Sequence, residues 1–116
     1  MPEYVHSFTP DDDAVNPEQV RILSLSIELM SEPTKVRVKI QLSPFTQLPD
    51  INFRILDASD TEVSSVNMIE SVLNQINFVM HIRKNKESIT GKYSLSAEVL
   101  YRDIGIVDQK TIQFEI

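Results

Sequence analysis

Eight consecutive residues, Lys35-Val-Arg-Val-Lys-Ile-Gln-Leu42, alternate without a fault between side chains that seek a core and side chains that seek water. A period of two suits only an extended strand, whose successive side chains point to opposite faces; a helix would scatter the same residues around its circumference. Val36, Val38, Ile40 and Leu42 therefore share one face, and Lys35, Arg37, Lys39 and Gln41 the other.

The period returns along most of the chain. It places Leu23, Leu25, Ile27 and Leu29 on one face of an earlier strand, then Ile51, Phe53 and Ile55, then Ile76, Phe78, Met80 and Ile82. Tyr93, Leu95, Ala97, Val99 and Tyr101 follow, and Ile112, Phe114 and Ile116 close the chain after a turn expected at Asp103 to Gly105. Val20 and Ile22 fall on the parity opposite to Leu23, which calls for a bulge or a strand that switches sheets near that point. The segment Glu62 to Leu73 has β-branched residues and also a spacing compatible with a short helix; it reads as a short edge strand followed by a loop. About seven strands, one inward face each and no amphipathic stretch of helix length predict an all-β fold. Two antiparallel sheets packed as a sandwich satisfy such faces better than a closed barrel.

A chain of 116 residues has room for one core, burying roughly two-thirds of the surface its unfolded form exposes. Residues 1–19 lack periodicity and carry the acid run Asp11-Asp12-Asp13 between Pro10 and Pro17, so they read as a flexible acidic arm. Residues 20–116 read as the sandwich domain.

Gly91-Lys92-Tyr93-Ser94-Leu95 resembles the G-x-Y-x-C opening of strand F in immunoglobulin-like domains, with Leu95 where many members have Cys. The resemblance implies that Tyr93 forms a tyrosine corner, its hydroxyl bonding to backbone a few residues upstream, and that Gly91 relieves the backbone entering that strand. It also implies that Val38 faces Leu95 across the core and that Phe53 supplies the aromatic of the third strand. The chain departs from the antibody-type pattern in lacking both cysteines and the strand-C Trp, and in having Ile89 two residues before the glycine. What remains is a broader immunoglobulin-like or fibronectin-III-like sandwich. Asn52 to Val63 is similar to a bacterial strand-turn-strand with an I-x-D-x-x-G hairpin, Asp60 standing where that pattern has Gly.

Composition bounds the chemistry. With no cysteine there are no disulfides, thiol nucleophiles or thiolate zinc sites, which fits a cytoplasmic location. No basic leader and no apolar run of about 18 residues is present, so neither export nor a membrane span is expected. A net charge of −6 opposes a nucleic-acid partner. His6 and His81 have no ligand-type neighbours in sequence, no G-x-S-x-G occurs, and two glycines cannot build a phosphate loop. The chain is expected to be no enzyme and to need no cofactor.

Three features carry binding hypotheses. Asp11, Asp12 and Asp13, with Asn16 and Glu18 nearby, offer oxygen ligands for Ca²⁺ but lack the spacing with a central glycine, and otherwise form a solvated arm. Lys35, Arg37 and Lys39 form a cationic stripe. It is the wet face of a sheet paired to acids such as Glu28, an edge protected against strand addition, or a dock for an acidic partner or for the arm itself. Leu56, Val79 and Leu100 lie on the outward parity of their strands, and Ile104, Ile106 and Val107 cluster near the last turn; together they suggest an apolar interface, or else scattered exposure. Stacking rings for sugar are few: there is no Trp, and only Tyr4, Phe8 and Phe45 look free. The expected function is thus a non-catalytic protein-interaction or assembly module acting through a sheet face or edge strand, possible as a homodimer. A ligand-binding sandwich, for Ca²⁺ or carbohydrate, is the alternative.

Overall fold

A computed structural model describes residues 10, 12–84 and 89–116. Asp11, His6, Tyr4 and Phe8 lie outside the described residues. Among the described residues, seven strands follow one 3-10 turn at Pro17–Gln19: β1 (Ile22–Leu29), β2 (Lys35–Leu42), β3 (Asp50–Asp57), β4 (Glu62–Met68), β5 (Gln75–His81), β6 (Lys92–Tyr101) and β7 (Gly105–Glu115). They form two antiparallel sheets, β1-β2-β5 and β4-β3-β6-β7. The expected all-β sandwich is therefore what the chain builds. Its fourth strand pairs with β3, whereas in constant-type immunoglobulin domains the fourth strand joins the first sheet. Among the described residues no helix is long and apolar enough to cross a membrane.

The alternating faces meet between the sheets. Val36, Val38 and Leu42 of β2 oppose Ile51, Phe53 and Ile55 of β3 and Leu95, Ala97 and Val99 of β6, all fully buried. Phe78 meets Phe53 edge-on, ring centroids 4.7 Å apart, the arrangement that puts a positive ring edge against a negative face. Burial of each such aliphatic or aromatic side chain contributes on the order of 1.5–3 kcal/mol. Among the described residues no polar or charged residue is buried.

β1 departs from simple alternation in the predicted place. Ile22 pairs with Leu42 but Ser24 pairs with Gln41, so Leu23 is the extra residue of a bulge. The bulge turns Leu23 out of the core, to 55% exposure, and Leu29 at the far end of this edge strand is exposed too; both were expected to face inward. β7 begins earlier than the alternation of its last residues indicates, because a second bulge between Ile106 and Asp108 shifts the parity at Val107.

Both open sides of the sandwich are tied. On one, the Asp108 carboxylate accepts the Ile22 backbone N–H at 2.8 Å; on the other, the Arg83 N–H donates to the Val63 carbonyl at 2.9 Å. An inward-turned carboxylate on the edge strand β7 also discourages another chain from pairing there.

The packed body reaches into the segment assigned to the arm. Val15 bridges Phe45, Thr46 donates its N–H to the Val15 carbonyl, and Pro17 is buried. Phe45, expected to be free for stacking, is buried against this segment at 3% exposure.

Candidate interaction surface

The sequence-singled residues do not form one site. β2 is the central strand of its sheet, so the Lys35-Arg37-Lys39 stripe protects no edge. Glu28 of β1 stands opposite Arg37. Its carboxylate lies 3.8 Å from Arg37 Nε and 3.6 Å from Lys39 Nζ. Lys35 Nζ lies 3.5 Å from Glu32, whose carboxyl titrates below its ordinary range because it accepts from the Thr34 hydroxyl and sits beside Lys35. Among the described residues, the stripe's ion pairs are with these two glutamates of its own sheet's neighbourhood. Asp12 and Asp13 occupy an exposed turn before Val15, and no three His, Asp or Glu side chains gather as a metal set among the described residues.

Leu56 and Leu100 do share a sheet, on adjacent strands β3 and β6. Leu56 pairs with Ser94, however, while Leu100 pairs with Asp50 at the opposite end of the ladder, a separation of roughly 20 Å at ~3.3 Å per residue. Asn52, Arg54, Ser96 and Glu98 fill the face between them. Val79 belongs to the other sheet, opposite Arg37, and lines a groove of about 370 Å³ between β4 and β5. The three outward residues are dispersed, and no sheet face carries a continuous apolar patch built from them.

The exposed apolar surface collects at one end of the sandwich. Among the described residues seven large apolar side chains are exposed: Leu23, Leu29, Ile69, Val72, Leu73, Ile104 and Ile106. The β1 start, the β2-β3 connection, the β4-β5 connection and the β6-β7 turn all lie at the same end, as the antiparallel registers require. Six of the seven residues are there, and Leu29 alone is at the other. Leu100 adds to them, for it stands directly opposite Ile106.

Side-chain clasps make this loop pole a single body. Asp50, at the start of β3, accepts the Glu70 backbone N–H at 2.9 Å through Oδ1 and lies 3.9 Å from Arg102 Nε through Oδ2. It thereby joins the β4-β5 connection to the β6-β7 turn. Ser71 donates its N–H to the Pro49 carbonyl, and Leu42 and Asn74 exchange two hydrogen bonds. Tyr101 donates its hydroxyl to the Gln47 carbonyl at 2.9 Å, pinning the β2-β3 connection; burial pushes that phenol up to about 12. Arg21 reaches the Glu18 and Val107 carbonyls and so holds the 3-10 segment to β7. Glu70 is kept at φ +50°, a left-handed conformation that costs a non-glycine residue about 1 kcal/mol or more and persists because its amide is fixed by Asp50.

A polar hollow of about 330 Å³ lies on the outer face of the four-stranded sheet among Asn52, Arg54, Glu62, Asn67 and Glu98. His81 is exposed on β5 beside the β4-β5 groove.

No protein-family profile matches the chain, and no curated protein matches it in sequence. Solved structures do match its fold. A glycosyl hydrolase family 2 member from Bacteroides cellulosilyticus superposes with a TM-score of 0.57 at 15% identity, over 84% of this chain. A β-glucuronidase from Ruminococcus gnavus, in complex with a C6-substituted uronic isofagomine, gives 0.54 at 16% identity over the same share. This chain spans only 15% and 16% of the length of those two proteins. The likeness at such identity is one of fold: the chain is an all-β sandwich of a kind found within larger glycoside hydrolases.

Proposed function

We propose that this chain is a non-catalytic, immunoglobulin-like sandwich module that engages a protein surface through its loop pole. The observation that carries the proposal is the gathering of six exposed aliphatic side chains at that one end, on loops already clasped to one another. Single exposed leucines are ordinary, but several on adjoining loops are the usual mark of an interface. Clasped loops also lose little freedom on binding, which reduces the entropic cost of association. The similarity to a segment of much longer hydrolases supports a role as one module beside others.

Affinity capture with the full chain tests this reading. Proteins held by the wild type should be lost from the Leu73→Glu/Ile106→Glu double variant, whose melting temperature should stay within a few degrees because both sites are solvent-facing. Capture that survives this variant and fails with Arg54→Ala would move the contact to the sheet face.

A second reading rests on the hollow of Asn52, Arg54, Asn67 and Glu98, whose amides and charges suit the hydroxyls and carboxylate of a sugar acid. A β-glucuronidase of similar fold was solved with D-glucuronic acid. Among the described residues no aromatic ring lines this hollow, so a sugar would be held there by hydrogen bonds. A rise in melting temperature with millimolar glucuronate, absent in Arg54→Ala, is the result it requires.

A further inference from the structure

We infer that the partner surface taken by the loop pole is basic as well as aliphatic, an inference that rests on the interaction reading above. The charges at this end are one-sided. Glu18, Glu70 and Asp103 are exposed carboxylates beside the exposed leucine, isoleucine and valine side chains, and Asp12 and Asp13 are exposed in the turn before Val15, which bridges Phe45 of the β2-β3 connection. No lysine occurs in residues 12–23, 43–50, 69–74 or 102–108.

The two cations present there are already engaged. Arg21 lies on backbone carbonyls of Glu18, Val20 and Val107, and Arg102 is the ion partner of Asp50. Asp50 and Asp108 are spent on clasping the pole, through the Glu70 and Ile22 amides, and leave the exposed five without internal compensation from a lysine. The lysines among the described residues lie elsewhere: Lys35, Lys84 and Lys92 are at the opposite end, and Lys39 and Lys110 along the strands, where Lys35, Lys39 and Lys84 pair with Glu32, Glu28 and Asp57.

An aliphatic surface ringed by carboxylates repels its own copy in a head-to-head pairing and attracts lysine or arginine set among leucine-like side chains. The apolar contacts supply affinity, and the carboxylates select the partner and speed its approach, so binding should weaken as salt rises.

The experiment is an NMR titration of the ¹⁵N-labelled full chain with a synthetic peptide of alternating Leu and Lys, and with the same peptide carrying Glu for Lys. The Leu/Lys peptide should shift amides of residues 18–23, 69–74 and 102–107 and bind several-fold more weakly at high salt. The triple variant Glu18→Gln/Glu70→Gln/Asp103→Asn, folded by its own spectrum, should bind it about tenfold more weakly. Equal binding of the Glu peptide at this pole would overturn the charge requirement while leaving the pole as the contact surface. Shifts confined to the sheet faces, or none with either peptide, would overturn the inference and remove support from the interaction reading as well. Concentration-dependent dimerisation of the chain through these same amides would also overturn it, since the occupant would then be a second copy.

Discussion

Tyr93 donates its phenolic hydroxyl to the backbone carbonyl of Ile89 at 2.5 Å, across the turn that leads into β6. Its ring is buried and stacks on Phe114, centroids 5.4 Å apart, while Gly91 between donor and acceptor holds φ +144° and exchanges two hydrogen bonds with Ile116. One side chain thus fixes the entry to β6 and the end of β7. Tyr93→Phe keeps the stack and removes the bond, and should destabilise the fold by about 1 kcal/mol in urea unfolding. A loss near zero would mean that the corner is held by packing alone.

Asp50 joins the two halves of the loop pole. Asp50→Ala leaves the Glu70 amide and Arg102 without their acceptor, at an expected cost of about 1–2 kcal/mol. Hydrogen exchange should quicken at Glu70 and in the β6-β7 turn and remain unchanged in β2. Uniform quickening would show that Asp50 supports the whole fold instead of this end.

Alkaline titration reads the second buried phenol. Tyr101 titrates near 12 in the folded chain, against 10.0 for an ordinary tyrosine, because burial disfavours its phenolate; Tyr93 is raised in the same direction by burial, with Lys84 opposing. A raised phenol pKa means that the unfolded chain loses the proton first. The stability tied to these two groups is therefore intact below pH 10 and falls progressively as pH climbs toward 12. Tyrosinate absorbance followed beside circular dichroism should show the late-titrating phenols ionising together with unfolding, and Tyr101→Phe should remove part of that dependence.

Asp60 occupies the left-handed region at φ +63° in the β3-β4 turn, where its backbone N–H donates to the Asp57 carbonyl. That conformation costs a side-chain-bearing residue about 1 kcal/mol, and glycine's greater unfolded-state freedom takes back part of the gain. Asp60→Gly should raise stability by about 0.5 kcal/mol in thermal denaturation. A drop would indicate that the Asp60 side chain contributes more than its backbone strain removes.

The central strands β2 and β6 were legible because both of their neighbours are strands and one face is fully buried, so the hydrophobic pattern is unbroken along Val36–Leu42 and Tyr93–Tyr101. Edge strands obey the pattern less strictly. The bulges at Leu23 and Val107 each insert one residue and reverse the parity, which turned Leu23 outward and concealed the first half of β7. The parity of Leu56 and Leu100 gave their outward direction correctly, but their separation depends on the β3-β6 register, which no local pattern encodes.

The site was visible only in part. Ile104 and Ile106 stood out as apolar residues at a turn. Ile69, Val72 and Leu73 lay where alternation fails, and the usable signal was the failure itself: aliphatic residues in a connection that no strand carries into the core. The Asp50 clasp unites residues far apart in the chain and has no sequence signature at all.

The claim that the loop pole is the contact surface is tested most directly by amide hydrogen exchange on the chain alone and in complex with a captured partner. New protection is expected at residues 69–74 and 104–107, with the outer face at Asn52, Arg54 and Ser96 unchanged. Protection on that outer face, with the loops unaltered, would contradict it.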